Sequence, residues 1–249
     1  MRIGIRSWIK HFSVGVLSLL SCVALFYHLT VGEDLITVGT GTRTSSEHAP
    51  LVVIDAGHGG EDCGAVGVSG VYEKELNYKI ATYIAAELRS AGCEVIETRT
   101  TDALLYDPAT VEKGHKKLTD LTSRLAIASA TPGAIAVSIH MNSFPSPSSH
   151  GLQVWYSPGH EGAKLLAEGI QKSVIERLQP DNHRKVKASM GSMYLLDRAE
   201  NPTVLIECGF ITNPEECARL ESTTYQKELS FVIFGAIMEY IQDSMRGNT

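Results

Sequence analysis

The stretch VVIDAGHGG, Val52 to Gly60, is a run of apolar β-formers that ends in an acid and then sets a histidine among glycines. Two further stretches have the same form: AIAVSIHMN at Ala134–Asn142 and TVLIECGF at Thr203–Phe210. Each reads as a short buried strand that ends in a residue able to bind metal or carry a proton. Between them the apolar period changes. Leu76, Ile80, Ile84 and Leu88 stand four apart and predict a helix over Glu73–Ala91, with Gly92 placed to end it. The same reading gives strands at Leu51–Asp55, Cys93–Thr98, Ala134–Ile139, Leu152–Tyr156 and Thr203–Ile206, and a short one at Met193–Leu196. Helices are expected at Leu118–Ala130, Gly162–Leu178 and Tyr225–Gln242. Strands that alternate with helices predict an α/β fold: a single-domain three-layer sandwich whose twisted mixed sheet is largely parallel and flanked by helices.

In open α/β sheets, sites form beyond the carboxyl ends of the parallel strands. His58, His140 and Glu207 each follow an apolar strand there, so parallel strands would bring all three to one edge. A catalytic zinc takes three protein ligands and leaves one position for water. His58 and His140 are the evident nitrogen donors. Glu73, at the start of the first helix, can turn its carboxylate back to the strand tips, and the glycines at 57, 59, 60, 64, 67 and 70 make the intervening loop pliable. Taken by itself, Glu73 reads more readily as a first-turn acid on the helix dipole.

The chain has 249 residues, enough for one sizeable domain and a terminal extension. A net charge of −6 and the lack of a long basic run give no reason to expect nucleic-acid binding. Five irregularly spaced cysteines without a CxxC support neither a cysteine-rich metal site nor a disulfide framework. Residues 1–31 differ from the rest. Arg2, Arg6 and Lys10 precede an apolar run, Phe12–Val31, about long enough to span a bilayer. The expectation is an N-terminal membrane anchor or signal segment with the remainder exported. Residues 32–49, rich in Gly, Thr and Ser, read as a linker, and residues 50–243 as the folded domain.

The blocks IDAGHGGEDCGAVGVSGVYEKELN, SIHMNS and VLIECGFITNPEE together resemble the signature blocks of the zinc-dependent N-acetylmuramoyl-L-alanine amidases of the type-3 family. The resemblance covers about Leu51 to Gln242. It implies one zinc ion on His58, Glu73 and His140 and a catalytic role for Glu207, and so decides Glu73 in favour of a ligand. Two positions depart from many relatives. Asn142 stands where an acid is common and is expected to donate to substrate, and Cys63 stands where proline is common. With an apolar N-terminus and no wall-binding repeat, the chain is most similar to the germination-specific spore-cortex amidases of that family.

The resemblance implies hydrolysis of the amide between N-acetylmuramic acid and L-alanine in peptidoglycan. Zinc would polarise the carbonyl and lower the pKa of water, and Glu207 would move the proton. Two alternatives stand beside this: a zinc exopeptidase acting on free peptides, and an inactive wall-binding module. Because a glycine-rich loop carries the Glu73 side of the site, an accessory protein that braces it would stabilise zinc binding by linkage.

Overall fold

The computed structural model describes residues 49–106 and 115–247, so the expected anchor at 1–31 and most of the linker lie outside the described residues. The three opening stretches become β1 (Leu51–Ala56), β3 (Ile135–Asn142) and β6 (Thr203–Phe210), which lie side by side. With β2 (Glu94–Glu97), β4 (Gln153–Tyr156) and β5 (Lys187–Ala188) they form a six-stranded sheet of order β2-β1-β3-β6-β4-β5. β2, β1, β3 and β6 are mutually parallel; β4 runs antiparallel to β6, and β5 parallel to β4. The sheet is therefore mixed and mostly parallel, as the alternation of elements predicts.

The helices are α1 (Glu73–Ser90), α2 (Lys116–Ser129), α3 (Glu161–Arg177), α4 (Tyr194–Arg198), α5 (Pro214–Glu221) and α6 (Thr223–Met245). Among the described residues no helix is long and apolar enough to cross a membrane. The stretch Met193–Leu196, expected as a strand, is instead the entry to α4. The Asp197 carboxylate accepts from the backbone N–H of Gly191 and Met193, at 3.0 and 2.9 Å, and this closes the turn. An apolar pair such as Leu195–Leu196 fits a strand or a helix equally, so its pattern carried no decision. The edge strand falls earlier, at Lys187–Ala188, and is too short and polar to announce itself. The helix α5 follows from Asn213-Pro214: the Asn213 side chain accepts from Glu215 and Glu216 N–H, and proline occupies the first turn.

The period of two along the strands divides the molecule into unequal faces. Val52, Ile54, Val137, Ile139, Val204 and Ile206 point to one face, where Leu76, Ile80, Ile84 and Leu88 of α1, Leu166, Ile170 and Val174 of α3, and Leu229, Ile233 and Ile237 of α6 cover them. This is the main core. The opposite face carries a small cluster of Val53, Ala136, Ala128 and Leu195, covered by α2 and α4. Strand positions of that second parity include Asp55, Ser138, His140, Leu205 and Glu207. The polar and chemically active residues thus share the thinly covered side.

A buried charge network ties that side together. Arg124 of α2, 3% exposed, pairs with Asp55 of β1 (Nη1–Oδ1 2.6 Å) and with Asp120 (Nε–Oδ2 2.8 Å). Thr98 and Ser138 hydroxyls also donate to Asp55, and Asp120 accepts from the Leu105 N–H at 2.7 Å. Burial pushes the Asp55 carboxyl up, but the Arg124 guanidinium and the two hydroxyls outweigh it and hold the group below its ordinary 3.8. A carboxyl lowered on folding contributes stability above its unfolded value, and that contribution is lost as the pH falls through the lowered one. Removing one partner of a buried pair strands the other charge and costs about 3–5 kcal/mol. Arg124→Met should therefore lower the urea midpoint at neutral pH by that amount of unfolding free energy. A loss below about 1 kcal/mol, the range of an exposed pair, would show that the network adds little.

Candidate metal centre

β1 delivers His58 one turn beyond its carboxyl end. Among the described residues His58 is the non-glycine residue with positive φ, at 60°. That left-handed conformation is uncommon for a residue with a Cβ, although histidine tolerates it better than most, and here its surroundings fix it. Arg124 donates to the carbonyls on both sides, Ala56 and His58, each at 2.8 Å. Arg99 donates to Ala56 O at 2.9 Å, Gly57 O at 3.2 Å and Lys74 O at 2.8 Å, so it joins the loop to the first turn of α1. The ring is fixed separately: its Nδ1 lies 2.9 Å from Asp62 Oδ2, which leaves Nε2 turned inward. A carboxylate on the outer nitrogen of a metal-binding histidine orients the ring and sets its tautomer.

Glu73 opens α1 and is only 4% exposed. Its Oε1 lies 3.2 Å from His58 Nε2 and 3.0 Å from His140 Nδ1, and accepts from the Met141 N–H at 3.1 Å. Its Oε2 accepts from the Ala65 N–H at 2.9 Å. Burial alone would raise its pKa, but the hydrogen bonds from His140 and His58 outweigh burial and keep it ionised well below the usual carboxylate range. For His58 burial opposes the charged form, while Glu73 and Asp62 outweigh it and raise the imidazole above 6.5. Close approach of the backbone makes the cluster fit. A Cβ on Gly57 would run into the His140 ring, and one on Gly64 would come within 2.6 Å of Glu73 Oε2 and 2.8 Å of His58 Cδ2.

One donor atom from each of His58, Glu73 and His140 lies within 4.8 Å of the others. Two imidazoles converging on a buried, ionised carboxylate are a donor set suited to a dication, and the three residues could hold one. Glu207 completes the edge. It is the register partner of His140 across β3 and β6 and shares its face. Its Oε2 is buried with no hydrogen-bond partner, and burial pushes the carboxyl up to about 7. An unpartnered carboxyl oxygen beside three converged donors is a further sign that the site is made to receive something. A cavity of about 240 Å³ opens on this face, lined by His58, His140, Ser138, Leu205 and Tyr194 among others.

Asn142 ends β3 just past an irregularity in its pairing with β6; it is half-buried, and its carbonyl accepts from the Ile211 N–H. Cys63 lies outside the donor group, its thiol donating to the Gly64 carbonyl at 3.2 Å. His115, His150, His160 and His183 also take no part in the group. Sequence reasoning missed Asp62, Arg99 and Arg124. For Asp62 the spacing of four from His58 was a usable signal; for the arginines nothing in their neighbourhood marked them.

A family model described as N-acetylmuramoyl-L-alanine amidase matches residues 52–239. The germination-specific N-acetylmuramoyl-L-alanine amidase of Bacillus subtilis is 31% identical over 193 residues, covering 78% of this chain and 80% of that protein. The Bacillus subtilis protein YqiI is 35% identical over 191 residues, 76% of this chain and 84% of that one. Among solved structures, the CwlD amidase of Clostridioides difficile, in complex with the GerS lipoprotein, superposes with a TM-score of 0.73 at 33% identity, covering 78% of this chain and 98% of that chain. AmiC2 of Nostoc punctiforme superposes with a TM-score of 0.66 at 30% identity, covering 78% and 97%. With the match spanning the sheet, the three converged donors and Glu207, the chain belongs to the N-acetylmuramoyl-L-alanine amidase family.

Proposed function

We propose that this amidase hydrolyses the bond between N-acetylmuramic acid and L-alanine in peptidoglycan with one zinc ion on His58, Glu73 and His140, and with Glu207 as its proton carrier. The observation that carries the reading is the buried Glu207 carboxyl, unpartnered and raised to about 7, on the strand next to His140. Zinc, when bound, supplies a Lewis acid that polarises the scissile carbonyl and activates water. Asp62 and Arg124 keep His58 aimed, through its ring and its backbone. Glu207 takes a proton from the attacking water and returns it to the departing nitrogen, for which a value near neutrality is the useful one. Asn142, at the end of β3, is suited to donate to the substrate.

The setting is the cell wall or the spore cortex, as the name of the germination-specific relative suggests. The basic flank and apolar run of residues 1–31 support export, with the catalytic domain of residues 50–243 outside the cytoplasm and either anchored or released. An accessory protein also belongs to the reading. The Clostridioides difficile amidase was solved with a lipoprotein, and here the segment leading to Glu73 exposes Val66, Val68 and Tyr72, an apolar margin that a partner would cover.

Two variants separate ligand from proton carrier. His140→Ala should lose stoichiometric zinc, read by metal analysis of the purified protein; full retention would remove His140 from the ligand set. Glu207→Gln should fold and keep zinc while peptide release from peptidoglycan falls about 10²- to 10⁴-fold. Zinc loss in proportion to activity would make Glu207 a ligand instead. Near-normal activity would remove it from the mechanism.

A further inference from the structure

Glu207 has a register partner on each side: His140 on β3, and Gln153 on β4. Paired residues of adjacent strands turn their side chains to the same face. Gln153 therefore stands beside Glu207 on the side away from the metal donors. It is itself buried, its Nε2 donating to the Lys185 carbonyl at 2.7 Å and its Oε1 accepting from Arg184 Nη1 at 3.3 Å. Arg184 is held from two further directions. Its Nε donates to the His150 carbonyl at 2.7 Å, and its guanidinium lies 4.4 Å from the centroid of the Phe210 ring.

A guanidinium has five N–H donors, and these contacts engage two. Among the described residues Arg184 makes no ion pair with any carboxylate. Two residues farther along β4 on the same face, Trp155 is paired with Lys187 of β5, whose ammonium lies 5.2 Å from the indole ring and likewise meets no acid there. An oriented, half-buried arginine short of a carboxylate is suited to bind one that arrives.

The substrate decides which one. On the glycan side the muramyl carboxyl is consumed in the scissile amide, so the sugars offer hydroxyl and acetamido groups alone. Free carboxylates lie on the peptide side. Resting on the amidase reading above, we propose that Arg184, with Lys187 three residues along the same flank, forms a subsite for a free carboxylate of the peptide stem, and so fixes the direction in which the peptide leaves the metal. The Arg184 guanidinium meets Gln153 on the strand next to Glu207 and Phe210 on Glu207's own strand, which sets it about one to two strand spacings, roughly 5–10 Å, from the proton carrier. An extended peptide advances at most about 3.6 Å per residue. The carboxylate is therefore on the second or third residue from the cut.

The test uses the full-length chain supplied with zinc and two synthetic muramyl peptides. One has free carboxylates on its second and third residues; the other has carboxamides there. A charge-assisted hydrogen bond to the subsite predicts a preference for the acid of about 10- to 100-fold in kcat/KM, mostly through KM. In Arg184→Gln that preference should fall to about one, and Arg184→Lys should keep part of it. Lys187→Gln, a change at an exposed position, should reduce it severalfold and serves should Arg184→Gln not fold. Equal cleavage of both peptides by the parent chain, or a preference that survives in both glutamine variants, would overturn the subsite and leave the amidase reading standing. Failure of the zinc-loaded parent to cut either peptide would overturn both.

Discussion

The guanidinium of Arg124 is held in the sheet's thin side by two carboxylates and two backbone carbonyls, those of Asp55, Asp120, Ala56 and His58. Taking such a charge out of water costs several kcal/mol, offset here because nearly every donor has a partner. The geometry needs a planar fork: Nε and both Nη atoms point in different directions at fixed angles, which a lysine ammonium cannot imitate. What the fork joins is informative. It fastens α2 to β1 and, in the same plane, pins the carbonyls on either side of a backbone unit that bends into the left-handed region. It shares that task with Arg99, which holds the Ala56 and Gly57 carbonyls, and with Asp62, which holds the His58 ring toward Glu73.

Much of this was readable beforehand. The apolar runs of β1, β3 and β6 could be seen because strands buried on both faces are continuous in sequence, and the four-residue spacing of α1 because that helix has one buried stripe. The edge position of His58, His140 and Glu207 followed from parallel strands. The rest depended on long-range geometry. Arg124 is separated from Asp55 by 69 residues and looks, in its own neighbourhood, like an ordinary cation on a surface helix. Arg184 sits in a polar stretch whose meaning arises only when β4 reverses direction against β6. The entry to α4 was misread because two adjacent leucines carry no period. Asp62 alone lay near enough to its partner to have been inferred.

The two faces also explain how one sheet can be rigid and accessible together. Three long helices on one side bury the large aliphatic side chains and supply most of the apolar stabilisation. The other side is covered by one medium helix and one short helix, and there His58, His140 and Glu207, at or near the strand ends, stay partly exposed. A polymeric wall strand needs such an open approach, and a closed pocket would refuse it.

The reversal of β4 has a further consequence. Up to β6 the strands contribute their carboxyl ends to the working edge, but β4 contributes its beginning. Everything that follows Gln153 along β4 and β5 therefore lies outside the parallel block that places the donor atoms. Exposed side chains there, such as Lys185 and Lys187, lie away from the donor atoms, whereas the buried Asn182 ties the segment to Leu152 at the start of β4. The molecule is in that sense built of two parts, one that places the donor atoms and one that flanks them, meeting along a single seam between neighbouring strands.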